Sequence, residues 1–175
     1  MYALNYIVEH PQMPHGDIKI AFTPDEEVGR GTEHFDVEKF GAKYAYTIDG
    51  GEIGELEYEN FNAASVKISI QGQDIHPGYA KGKMLNALNI ATEINSLLPH
   101  DQRPEKTEGY EGFYHLTDME GTVEKATMYY IIRDHNRDLF EQKKKYMADM
   151  ISVLNNNYGK DTIQLEIKDS YYNMK

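Results

Sequence analysis

The sequence predicts a mixed α/β (α+β) chain, in which a ferredoxin-like unit is inserted into an incomplete α/β domain. Two observations predict it. Residues 61–169 read in the order β-α-β-β-α-β, the split-βαβ arrangement of one antiparallel sheet with two helices on one face. Residues 17–51 hold two short apolar runs, each ending in an acidic loop, and open α/β sheets place their ligands outside such strand ends. The boundaries that follow are 1–60, 61–169 and 170–175, the last a return to the first domain.

Residues 1–10 read as a short helix without a capping residue, and Pro11 to Gly16 as a turn. Residues 17–22 read as a strand that Pro24 ends, since proline cannot donate to a ladder. Thr32 can cap a short helix to about Phe40. Residues 45–48 read as a second strand, closed by Asp49-Gly50-Gly51. Val66, Ile68 and Ile70 then alternate, as in a strand with one buried face. A glycine-rich loop covers 74–83. Leu85, Leu88 and Ala91 recur at helical spacing in a helix that stops before Pro99. Residues 113–119 and 123–134 pair as a hairpin around Glu120-Gly121. An amphipathic helix follows over 139–154. Ile163, Leu165 and Ile167 alternate in a last strand.

Composition narrows the function classes. In 175 residues, 40% are hydrophobic and 27% charged, as in a soluble globular protein. A net charge of -11 argues against a nucleic-acid partner, which needs a basic face. The longest apolar runs are too short for a membrane span, and no charged segment followed by an apolar core opens the chain. With no cysteine, disulfides, thiolate nucleophiles and Cys-ligated zinc are excluded, which is compatible with the cytoplasm. There is no GxGxxG, P-loop, HExxH or GxSxG.

Four positions can carry chemistry. The first is the run Asp25-Glu26-Glu27, directly after a strand and a proline turn. Acidic runs are mostly solvated surface, but a divalent metal converts their repulsion into attraction, with one carboxylate as ligand and its neighbour as base. Asp49 stands at the end of the next strand, where parallel neighbours would bring it to the same sheet edge. His76, flanked by Pro77 and Gly78, sits in a tight loop that suits a positioned side chain. Arg133 ends a strand. It is either a surface ion-pair partner of Asp134 or another acid, or a fork that grips a carboxylate in bidentate fashion.

The stretches from Phe22 to Gly31, Tyr46 to Gly51, His76 to Met84, Gly109 to Leu116 and Asp169 to Met174 together resemble the M20 family of dinuclear zinc exopeptidases, and within it the tripeptide aminopeptidases. The resemblance implies that Glu26 is the general base, that Glu27 and Asp49 are zinc ligands, and that Arg133 binds the peptide's carboxylate. It also implies that His76 reaches the site of a neighbouring protomer, that 61–169 is the lid or dimerisation domain, and that a homodimer acts on a tripeptide. The family's His-x-Asp motif, bridging Asp and final His ligand have no counterpart here, so a site of two Zn²⁺ is incomplete and the chain alone is expected to be inactive. Two other readings stay open: a non-catalytic ferredoxin-like dimerisation or ligand-binding module, and an M20 hydrolase of another amide.

Overall fold

A computed structural model describes residues 2–28, 30–48 and 51–175, and it divides the chain into two compact units, Met1–Gly54 and Glu55–Lys175. Among the described residues, the second unit holds the whole buried core.

In Glu55–Lys175 the elements follow as β1 (Asn62–Gln71), α-helix Ala87–Leu97, β2 (Phe113–Gly121), β3 (Lys125–Asp134), α-helix Arg137–Tyr158 and β4 (Ile163–Tyr171). The sheet order is β2-β3-β1-β4, and every pairing is antiparallel. This is the ferredoxin-like topology that the sequence pattern predicts. Alternation builds the core. Val66, Ile68 and Ile70 of β1 and Met128, Tyr130 and Ile132 of β3 point to one face and are buried. Ile90, Ala91 and Ile94 of the first helix cover that face together with Phe140, Met147, Ile151 and Leu154 of the second. Ser65, Lys67 and Tyr129 point the other way, to solvent.

Both helices are capped by asparagine. Asn86 Oδ1 accepts from the Leu88 and Asn89 amides, and Asn136 Oδ1 accepts from the Leu139 amide. The second helix runs past the expected 154 to Tyr158, because Leu154 is still buried and Gly159 supplies the positive φ that ends it. Asn155 then ties the helix end to β4, giving to the Ile163 carbonyl and accepting from its amide.

Lys144 on this helix bonds Asp169 Oδ1 at 2.7 Å, and the Tyr172 hydroxyl gives to Oδ2 at 2.8 Å. The Lys144 bond first, then that of Tyr172 and the nearby Arg137 charge, hold the Asp169 carboxyl below its ordinary 3.8 against the opposing effect of burial. A carboxyl depressed in the folded state adds stability that is complete above the unfolded value and is lost as pH falls through the folded one. Melting temperatures between pH 5 and 2 should therefore fall less steeply for Asp169→Asn than for the parent chain.

The chain enters and leaves this unit side by side. Ala63 pairs with Tyr171. Asn62 Nδ2 gives to the carbonyls of Asp134 and His135, while its Oδ1 accepts from the Asn173 amide. Asn173 Oδ1 accepts from the Asn60 amide, and Asn60 Oδ1 accepts from Met174. Asn62 is buried, with all of these polar groups satisfied.

The unit Met1–Gly54 has a different character. Its helices are α1 (Tyr2–Glu9) and α2 (Val37–Phe40), so the two helices of the second unit are α3 and α4. The N-cap of α2 is Asp36, which accepts from the Lys39 amide, rather than the expected Thr32. The expected strands at 17–22 and 45–48 are not formed. A strand exists only through a ladder partner, and none stands beside these segments among the described residues. Ile18, Ile20, Phe22, Tyr46 and Ile48 are accordingly all exposed. No described residue of this unit is buried.

Candidate functional site

Glu26 and Glu27 open a single 3₁₀ turn, Glu26–Val28, with both side chains exposed. The turn is set by its surroundings. Asp25 adopts φ of 61°, and its carbonyl accepts from the Arg30 amide at 3.0 Å. Left-handed backbone at a non-glycine residue costs energy that the surrounding structure must offset, and such residues gather at functional sites. Neither glutamate is paired with a cation among the described residues. Asp49, the second expected ligand, lies outside the described residues. No group of three potential metal-binding side chains occurs among those described. The two adjacent carboxylates are hard oxygen donors of a type that zinc accepts, but they are too few to complete its usual four ligands.

His76 caps the 3₁₀ turn Pro77–Tyr79. Its Nδ1 accepts from the Gly78 amide at 3.1 Å. A neutral ring held this way carries its proton on Nε2, so the exposed edge of the imidazole is a donor. Gly78 belongs to this device, because a Cβ there would stand 3.2 Å from Nδ1.

Arg133 is half-buried at the end of β3, between Ala63 of β1 and Phe113 of β2 in the ladder. The surface-pair alternative with Asp134 does not hold. Successive strand residues face opposite ways, and Asp134 lies on the buried side, with Lys143 Nζ 3.0 Å from its Oδ2. That contact is within ion-pair distance but not aligned as a hydrogen bond. Oδ1 accepts from the Asn136 amide at 2.9 Å. Gly112 makes room for the carboxylate, since a Cβ there would fall 2.0 Å from Oδ2. Arg133 itself forms no ion pair among the described residues, although 29 of the 175 residues are Asp or Glu. A partly buried guanidinium left unpaired in so acidic a chain is ready to take an anion from outside.

His76 and Arg133 are not brought together within one copy. Arg133 stands beside Ala63 near the start of β1, whereas the loop of His76 leaves after Gln71 at its other end. Eight strand steps separate Ala63 from Gln71 (71 − 63), or about 26 Å at ~3.3 Å per residue.

Aromatic residues that the sequence pattern did not single out surround Arg133: Phe61, Tyr110, Phe113 and His135. They come from three segments that meet only through sheet pairing, and spacing along the chain carries no sign of that.

The M20 model described as "Peptidase dimerisation domain" matches residues 58–162. The chain belongs to the M20 peptidases, through this dimerisation domain. Relatives named Peptidase T include those of Caldanaerobacter subterraneus, 56% identical over 99% of this chain and 42% of the relative, and of Bacillus subtilis, 54% identical over 100% and 43%. The chain thus spans less than half the length of these relatives. Among solved structures, a tripeptidase from Staphylococcus aureus superposes with a TM-score of 0.82 at 20% identity, over 97% of this chain and 46% of the other. Aminopeptidase PepT from Bacillus cereus gives 0.81 at 22%, over 97% and 46%. At such identities these likenesses establish the fold.

Proposed function

We propose that the chain is part of a zinc-dependent aminopeptidase that removes the N-terminal residue from tripeptides and acts as a homodimer. The observation that carries this is the 54–58% identity, across nearly the whole chain, to relatives named Peptidase T. The guanidinium of Arg133, without an ion pair among the described residues, supports it, because a tripeptide offers a C-terminal carboxylate within reach of a short site.

Each residue then has a task. Glu27 and Asp49 would hold zinc together with further ligands that this segment does not supply. Bound zinc supplies electrophilic activation of water and of the scissile carbonyl. Glu26, exposed and without a cation partner among the described residues, takes the proton of the attacking water on its carboxylate and passes it to the departing amine. The Nε2–H of His76 donates to the oxyanion of the tetrahedral intermediate. Arg133 grips the substrate's carboxylate and so fixes peptide length. The position of His76 and Arg133 at opposite ends of β1 favours the reading that His76 serves the site of a partner protomer.

Subunit complementation tests this in a full-length peptidase that carries this segment. Glu26→Gln and His76→Ala homodimers are each expected to be nearly inactive. Mixing them after dissociation should restore activity, because one of the two sites in a hybrid combines an intact Glu26 with the intact His76 of its neighbour. Recovery no greater than the sum of the two parents would show that His76 does not act across the interface.

A further inference from the structure

Among the described residues, Arg133 lacks the ion pair that normally orients a half-buried arginine. Its Nε is buried without a hydrogen-bond partner. What faces it is aromatic, with the guanidinium carbon 5.9 Å over the centroid of the Phe61 ring. Phe61 is held in turn. The His135 ring packs on it at 4.0 Å between centroids, tilted by 45°, and Phe113 meets it edge-on at 5.6 Å. Tyr110 stands edge-on to His135 at 4.5 Å. Tyr110 also interacts electrostatically with Glu59, whose Oε2 accepts from Asn173 Nδ2 at 3.3 Å. Asn173 Nδ2 also gives to the His135 carbonyl at 3.2 Å. Burial raises the Glu59 carboxyl, but the interactions with Asn173, Tyr110 and Lys175, with the Lys175 charge, hold it below its ordinary value, so the base of this cluster stays anionic near neutrality.

The ring face of phenylalanine attracts a guanidinium through its quadrupole without using any of the guanidinium's hydrogen-bond donors. An ion pair would orient Arg133 equally well but would occupy the fork that an incoming carboxylate needs. An aromatic support leaves the fork free and lowers the ordering cost at binding.

We propose that Phe61, clamped by His135 and Phe113, is the positioning residue that presets Arg133 for the C-terminal carboxylate of the peptide substrate. The inference rests on the reading of Arg133 given above. The test compares a tripeptide with its C-terminal amide in a full-length peptidase carrying this segment. Phe61→Leu should raise KM for the free tripeptide about fivefold, leave kcat within about twofold, and leave both constants for the amide unchanged. Phe61→Tyr, which keeps the ring face, should restore the parent KM. If Phe61→Leu is insoluble, Phe61→Met serves the same comparison. An equal KM rise for both substrates, or none for either, overturns the platform. Arg133→Met separates the two ideas, because it should abolish the preference for the free carboxylate. If it does so while Phe61→Leu shifts both substrates alike, the platform alone falls. If the preference survives Arg133→Met, the reading of Arg133 fails and the platform with it.

Discussion

On the proposed role of Glu26 as general base, Glu26→Gln is expected to lower kcat for a tripeptide by about 10³-fold in a full-length peptidase carrying this segment. The substitution keeps the size and the hydrogen-bonding oxygen of the side chain and removes only its ability to take a proton. Glu26 has no cation partner among the described residues and caps no helix, so its loss should leave folding untouched. KM should stay within about twofold, because an interaction that matters only in the transition state does not alter ground-state binding. Glu27→Gln serves as the contrast. Its expected defect is weaker zinc binding, relieved in part by added zinc, whereas added zinc should not rescue Glu26→Gln. Steady-state rates across a zinc titration decide between them. A Glu26→Gln enzyme within tenfold of the parent would remove Glu26 from the chemistry.

Asp134→Ala should destabilise the second unit by about 3 kcal/mol, read from chemical denaturation, the scale for breaking one side of a buried ion pair. Asp134 is 1% exposed and the Lys143 side chain 11% exposed, so the orphaned ammonium cannot regain full hydration. The Asn136 amide loses its acceptor in the same step, just where α4 begins. Replacing both partners with apolar residues of similar volume, as in Asp134→Leu with Lys143→Met, should recover most of the loss. Recovery by the double variant would show that the cost lies in the abandoned charge and not in the missing attraction. A single variant within about 0.5 kcal/mol of the parent, the usual scale of an ordinary surface substitution, would show that water reaches this pair freely.

The larger unit was legible because its signals are local. The alternation at Val66, Ile68 and Ile70 and the helical spacing that includes Ala91 report burial directly, although Leu88 on the same spacing stays exposed. Residues 17–22 and 45–48 also read as strands from their apolar runs, yet no ladder forms there among the described residues. Strand character needs a second strand, and the sequence of one segment does not tell whether a partner stands beside it. The site shows the same division. His76 was readable from its proline and glycine neighbours, which do shape its loop. The surroundings of Arg133 were not, since the alternation that turns Asp134 inward is visible but its Lys143 partner is not, and Phe61 reaches the guanidinium only through the pairing of β1 with β3.

The asparagine ties between residues 60–62 and 173–174 give the second unit a small footprint in the chain that carries it. Its entry and exit strands are bonded neighbours at Ala63 and Tyr171, separated by about 5 Å. A short turn could bridge that gap if everything between were removed. To the rest of the polypeptide, more than a hundred residues thus occupy no more room than the tip of a hairpin. A gene could acquire or discard such a cassette at one splice point without re-routing the chain on either side.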